Sequence, residues 1–193
     1  MHKVLGRTCA GVLGAWMAGG AQAALVLLPL TGKQGFAGNL DAGDIVGQVL
    51  LVQRELAADG DTRGVTNVVL MGMGEPLLNF DNVVTATGLM MDDLAFGISK
   101  RRVTVSTAGV VPGIYALSNV SDVSLAVSLH AADDALRDVL VPINRRYPIA
   151  ELLEACRHYQ DASLGEHRTV TFEYTLLAGV NDSLAQARDL ARL

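Results

Sequence analysis

Cysteine is scarce in this chain: Cys9 and Cys156 are the only two among 193 residues. They form no C-x-x-C pair and no His/Cys ligand spacing, so their pattern encodes no metal site. A basic excess is also lacking. With 15 Lys and Arg against 20 Asp and Glu, the net charge is −5 and the pI about 5.3. These totals exclude a uniformly basic nucleic-acid-binding module. Two local basic runs remain, Lys100-Arg101-Arg102 and Arg145-Arg146. They read either as local nucleic-acid contacts or as the solvated ends of elements. No repeat, low-complexity tract or linker follows residue 31. A membrane-spanning helix is not encoded either, because glycines and Gln22 interrupt the apolar N-terminal stretch.

What is present is apolar mass. Half of the residues are hydrophobic and the mean hydropathy is +0.33, enough for one domain with a core and too much for disorder. Residues 1–30 have a texture of their own, rich in Ala, Gly and Leu and without any acidic residue. An early basic region (His2, Lys3, Arg7), an apolar middle and Ala21-Gln22-Ala23 fit a cleavable export signal. The remainder alternates helical and strand patterns. Helices are expected at Asp41–Ala58 (with Ile45, Val46, Val49, Leu50, Val52 and Leu56 near one side), Asn79–Asp93 (N-capped by Asn79 or Asp81), Pro112–Leu117, Asp133–Leu140, Ile149–Gln160 and from Asn181 onward. Strands are expected at Val65–Met71, Arg102–Ser106, Asp122–Leu129 and Thr169–Leu177. Such alternation predicts parallel βαβ units and an α/β fold. Cys156, within the helix beginning at Ile149, reads as a small core hydrophobe.

The strands share a feature at their ends. Each apolar run closes in small or polar residues: Gly72-Met73-Gly74-Glu75, Ser106-Thr107-Ala108-Gly109 and Ser128-Leu129-His130-Ala131. In parallel α/β sheets and barrels, ligands gather at the carboxyl ends of the strands. Gly72 and Gly74 permit a sharp turn and close ligand approach, and Pro76 biases Glu75 toward an extended backbone. A directed carboxylate beside backbone carbonyls suits a ligand ammonium group. The plainer reading is a strand-to-helix turn with Glu75 near the next helix N-terminus. Ser106 and Ser128 can bond a ligand hydroxyl or carboxylate, or serve as satisfied strand-end hydroxyls. His130 can bond a ligand, stack on it, act as acid or base, or be structural. Recurrence at three strand ends favours a site.

The segments "TGKQGF" (31–36), "NVVLMGMGEPLLN" (67–79), "SKRRVTVSTAGVVP" (99–112), "VSLAVSLHA" (123–131) and "VPINRRY" (141–147) together closely resemble the RlmN/Cfr family, with wording that follows its RlmN branch. The resemblance runs from Thr31 to Leu193. These are radical S-adenosylmethionine (SAM) enzymes that methylate C2 or C8 of an adenine in 23S ribosomal RNA; the RlmN type also modifies transfer RNA. It implies an α/β fold, a partial (β/α)6 TIM-like radical SAM barrel incomplete at both ends, with residues 31–193 as a partial core domain and 1–30 as an unmatched segment. It implies SAM contacts at Gly74, Glu75, Ser106, Ser128, Leu129 and His130. It also implies a cytoplasmic protein with no membrane role, RNA partners (23S rRNA and tRNA), and a reductant such as flavodoxin. In the family a 4Fe–4S cluster on Cys-x3-Cys-x2-Cys cleaves SAM to a radical. A C-terminal cysteine carries the methyl group, and another cysteine resolves the RNA adduct.

This chain departs from that pattern where the cluster cysteines belong. The expected positions hold Gln22, Val26 and Pro29, none of which supplies the thiolate such a cluster needs. Cys156 matches neither catalytic cysteine. The resemblance begins abruptly at Thr31, so residues 1–30 are expected to come from a shifted reading frame or misassigned start. The chain is expected to be a truncated, inactive relative as written. The alternatives are a non-catalytic SAM-binding fragment and, taking residues 1–30 at face value, an exported α/β protein. Anaerobic reconstitution of the purified chain with iron and sulfide is expected to yield no 4Fe–4S absorbance or EPR signal; a bound cluster overturns this reading.

Overall fold

The computed structural model describes residues 15–16, 24–27, 38–71 and 74–193. Cys9, Gln22, Pro29, the Ala21-Gln22-Ala23 cleavage pattern, "TGKQGF" and Gly72 lie outside the described residues. Six strands form one sheet in consecutive order: β1 (Ala15–Trp16), β2 (Ala24–Leu27), β3 (Asn67–Leu70), β4 (Val103–Thr107), β5 (Ser124–Ser128) and β6 (Thr171–Glu173). β1 is antiparallel to β2, and β2 through β6 are all parallel. The sequence reading placed no element within residues 1–30. The apolar run Ala24-Leu25-Val26-Leu27 nevertheless supplies β2, in register with Asn67–Leu70, as suits a parallel strand that reads as one apolar run.

Consecutive parallel order has a geometric consequence. Right-handed crossovers that always step the same way put every connecting helix on one face of the sheet. The register bears this out. Val68 and Leu70 of β3, Val103 and Val105 of β4, and Leu125 and Val127 of β5 share one face and belong to a single buried core. Their partners come from α1 (Ala42–Ala58), α2 (Phe80–Met91), α3 (Val111–Ser118) and α5 (Ile149–Tyr159), including Ile45, Met90, Ile114 and Leu152. The opposite face carries Asn67, Val69, Thr104, Ser106, Ser124, Ala126, Ser128, Thr171 and Glu173, of which all but Val69 are small or polar. One wall of a barrel has this arrangement, with apolar packing outside and a polar lumen face inside.

Local sequence accounts for the helix starts. Asp41 caps α1 through a reciprocal box: its carboxylate accepts from the Asp44 N–H at 2.8 Å, and Asp44 accepts from the Asp41 N–H at 3.2 Å. The expected apolar stripe holds for Ile45, Val46, Val49, Val52 and Leu56. Leu50 departs from it and is exposed, because five residues beyond Ile45 it lies about 140° round the helix from that buried side chain. Asn79 precedes α2 but does not cap it. Its amide donates to the Leu40 carbonyl at 2.8 Å instead, tying α2 to the approach to α1. A short α4 (Asp134–Leu140) follows β5, and one π turn (Gln160–Leu164) extends α5 beyond the expected end.

The largest departures come after residue 170. The expected strand Thr169–Leu177 shortens to Thr171–Glu173, and the final helix begins at Leu184 rather than Asn181. Ser183 caps this α6 (Leu184–Leu190) in a box with Gln186. Residues 174–181 cross the end of the sheet and bond to the loop after β5.

Packing between the loop after β3 and α3 is close. A Cβ built on Gly113 would lie 2.8 Å from Leu77 Cβ, an atom near the backbone that cannot swing aside. Gly113→Ala is therefore expected to destabilise the fold by about 1–3 kcal/mol, read as a lower urea midpoint with an unchanged slope.

Candidate functional site

Four loops meet at the carboxyl ends of β3, β4, β5 and β6. Gly74 has φ +112, a conformation glycine alone adopts readily. Glu75 is extended (φ −120, ψ 108), as expected before Pro76. Its carboxylate faces inward: one oxygen accepts from the Leu77 N–H at 3.1 Å and the other from the Ala108 N–H at 2.7 Å. Glu75 thus clamps the loop after β3 to the loop after β4. Burial pushes its pKa up, opposed by the hydrogen bonds from Ala108, Leu77 and Thr107.

Ser106, the penultimate residue of β4, is buried on the lumen face. Thr107 Oγ1 accepts from the Gly109 N–H at 3.0 Å and the Val110 N–H at 3.3 Å, closing the turn before α3. Gly109 has φ +113, and a Cβ there would press on Leu152 and Arg137. Ser128 lies across the same face, its Oγ donating weakly to Glu173 Oε2 at 3.4 Å. Leu129 is buried, and its backbone is engaged on both sides, the N–H by the Glu173 carbonyl and the carbonyl by Arg137 and the Ala131 N–H.

His130 has a backbone φ of +59, unique among the described non-glycine residues. Such a conformation costs on the order of 1–3 kcal/mol and persists only where its surroundings hold it. The Ala131 N–H returns to the Leu129 carbonyl at 2.8 Å, closing a three-residue turn over His130. Its Nδ1 accepts from the Thr175 N–H at 3.1 Å, which puts the proton of the neutral ring on Nε2. Burial lowers its pKa, Glu173 opposes and Arg137 reinforces.

Two residues that sequence reasoning missed hold these loops. Arg137, in α4, is fully buried. Nε donates to the Leu129 carbonyl at 3.1 Å, and Nη2 to the Ala108 and Ser128 carbonyls at 2.8 and 3.0 Å. Nη1 donates to Asn144 Oδ1 at 2.8 Å, and Asn144 Nδ2 passes the interaction on to Asp134 and Asp138 at 2.9 and 2.7 Å. Asn181, also buried, donates to the carbonyls of His130 and Thr175, both at 2.8 Å. Helical periodicity gives no sign of a buried arginine; the signal was the neighbouring "VPINRRY", whose Asn144 is the arginine's partner.

Structure separates the two basic runs. Lys100–Arg102 precede β4 at the amino end of the sheet, where Lys100 pairs with Asp122. Arg145 and Arg146 follow α4 on the site's end and are exposed, with Arg146 lying 5.3 Å from the Tyr147 ring centre. A cleft of about 440 Å³ between α4 and α5 is lined by Asp133, Asp134, Arg157 and Arg192. Its two aspartates are already engaged, one capping α4 and the other holding Asn144 and the Ile149 N–H. The polar strand ends, not this cleft, carry the candidate chemistry.

Comparison with known proteins agrees with this geometry. The Radical SAM superfamily model matches residues 49–191. The chain belongs to the radical SAM superfamily. A radical SAM methyltransferase from Sphaerobacter thermophilus has the same fold, with a TM-score of 0.81 and 42% identity over 89% of this chain and 52% of that one. The dual-specificity RNA methyltransferases RlmN of Pseudomonas fluorescens and Marinobacter nauticus are 56% and 58% identical over 84% of this chain. They are matched over 43% and 44% of their own length, so the chain spans less than half of these relatives. The expected radical SAM methyltransferase resemblance and the α/β barrel-wall fold are both borne out.

A radical SAM cluster requires cysteine thiolates. Cys156, the one described cysteine, is buried in the core, and burial pushes its thiol up to about 12. No three His, Cys, Asp or Glu side chains among the described residues converge as a metal site. The donors present in this chain do not fit a 4Fe–4S cluster.

Arg137→Met would strand three strand-end carbonyls and Asn144 without their donors. The expected loss is about 3 kcal/mol or more, seen as a urea midpoint well below that of Gly113→Ala.

Proposed function

We propose that the polar strand ends bind SAM and that this chain is the SAM-binding barrel wall of an RNA adenine methyltransferase of the RlmN type. The observation that carries the reading is the convergence of Gly74, Glu75, Ser106 and the Ser128–His130 turn at the ends of three adjacent strands, on the polar face of the sheet. Glu75 and the neighbouring loop carbonyls are suited to the SAM ammonium. The Ser106 and Ser128 hydroxyls are suited to its carboxylate or ribose, and the Nε2–H of the His130 ring to its adenine, with Leu129 shaping the turn that carries that ring. Bound SAM supplies the methyl and adenosyl groups that this chemistry uses.

That the substrate is RNA is carried over from the relatives named dual-specificity RNA methyltransferases; an adenine of 23S rRNA and tRNA, modified at C2, is what the resemblance of the sequence motifs implies. Arg145 and Arg146, exposed at the site's end of the barrel wall, are the basic residues placed to meet a phosphate backbone. A role on ribosomal and transfer RNA supports a cytoplasmic protein. Among the described residues no helix is long and apolar enough to cross a membrane. Two cysteines in the entire sequence favour a second reading for the chain as written, a SAM-binding fragment without methyl transfer. A reductant such as flavodoxin then has no cluster here to serve.

Calorimetric titration of the purified chain with SAM tests the reading. Saturable binding is expected, with Kd of about 1 mM or tighter, and Ser106→Val is expected to weaken it. An absence of heat with SAM in large excess, from a chain shown to be folded, would sink the proposal.

A further inference from the structure

Residues 174–181 do more than connect β6 to α6. Every polar group of the Asn181 side chain is used, and the residue is only 2% exposed. Nδ2 bridges the carbonyls of His130 and Thr175, and Oδ1 accepts from the Leu177 N–H at 2.7 Å. Its own carbonyl accepts from the Tyr174 hydroxyl at 3.0 Å. The turn after β5 is held from the same side by further bonds. The Leu129 and His130 N–H groups donate to the Glu173 carbonyl at 3.0 and 3.3 Å, and the Thr175 N–H donates to His130 Nδ1.

The turn they hold is the strained one. His130 has φ +59 without being glycine, and such a backbone relaxes unless neighbouring bonds over-determine it. Asn181 reaches it from 51 residues away and fixes the orientation of the His130 carbonyl. We infer that Asn181 is the positioning residue of the Leu129–Ala131 turn, and that through it the segment 174–181 sets the shape of one wall of the SAM site. The second half of this statement rests on the SAM reading above; the first rests on the turn alone.

The test compares the full-length wild type with Asn181→Ala. Tyr159→Phe is the control, since the Tyr159 hydroxyl donates to the Val123 carbonyl at the opposite end of β5. Amide hydrogen exchange at residues 129–131 and 174–178 is measured alongside calorimetric SAM affinity and the thermal midpoint. Asn181→Ala is expected to speed exchange in these two stretches about tenfold and to raise the SAM Kd about tenfold, the scale of one lost hydrogen bond. Tyr159→Phe is expected to lower the midpoint with neither effect. Should Asn181→Ala fail to fold, Asn181→Asp keeps the acceptor for Leu177 while removing both donors, and the same local exchange is read. Unchanged exchange at 129–131, or equal acceleration in the Tyr159 control, overturns the positioning role. Local acceleration in a chain that takes up no SAM leaves the positioning of the turn standing and removes only the SAM assignment.

Discussion

The buried guanidinium of Arg137 is the constraint on which the strand ends depend. A parallel sheet presents backbone carbonyls beyond its last ladder bonds at the carboxyl edge, and buried carbonyls need donors. Arg137 answers three of them with one planar group: Ala108 from the loop after β4, and Ser128 and Leu129 from the end of β5. Burying the charge is costly unless it is completely bonded. Asn144 completes the set and relays it toward Asp134 and Asp138. The short α4 and the 142–145 turn therefore exist in their positions because the arginine must be enclosed. Two separate loops become one rigid frame, and a frame of fixed donors and acceptors is what a ligand site requires.

Glu75 extends the frame by one strand. Its carboxylate bonds the Ala108 N–H, while Arg137 bonds the Ala108 carbonyl. The same peptide segment is thus held from β3 by an anion and from β5 by a cation. Asn181 performs the corresponding task between β5 and β6. Strand by strand, the lumen edge is stitched by side chains that reach across to a neighbouring strand's backbone. This leaves Ser106, Ser128 and the His130 Nε2–H as groups on the polar face beyond that stitching.

Much of this was legible in the sequence, for a physical reason. Helix and strand periods report burial, and burial on one face of a consecutive parallel sheet is simple. Val68, Val105, Leu125 and Val127 were readable as core, and the polar strand ends stood out because they break apolar runs. What escaped were residues whose side chains bond distant backbone. Asn79 resembles a cap and instead holds Leu40. Asn181 resembles a helix start and is a loop hub. Tyr174 and Thr175 continue a β-rich pattern, yet they leave the sheet because His130 and Asn181 offer their polar groups better partners there. Arg137 looks like a solvated helix residue until the fold closes over it. β2, inside residues 1–30, was missed because a four-residue apolar run carries no period of its own.

Cys156 shows how this scaffold divides binding from redox chemistry. It packs against the layer beneath Arg137, and both Arg137 and Arg157 would favour its thiolate, but burial prevails and the thiol stays protonated. A reactive or cluster-binding cysteine needs the opposite balance, with exposure and nearby positive charge. The described frame of Glu75, Arg137, Asn144 and Asn181 closes its hydrogen bonds internally, and no member of it is a thiol. The shape of the strand-end crevice is consequently built by residues different from those that would hold a cluster. A chain can keep the first while its cysteines are replaced, because nothing in the frame's bonding depends on them.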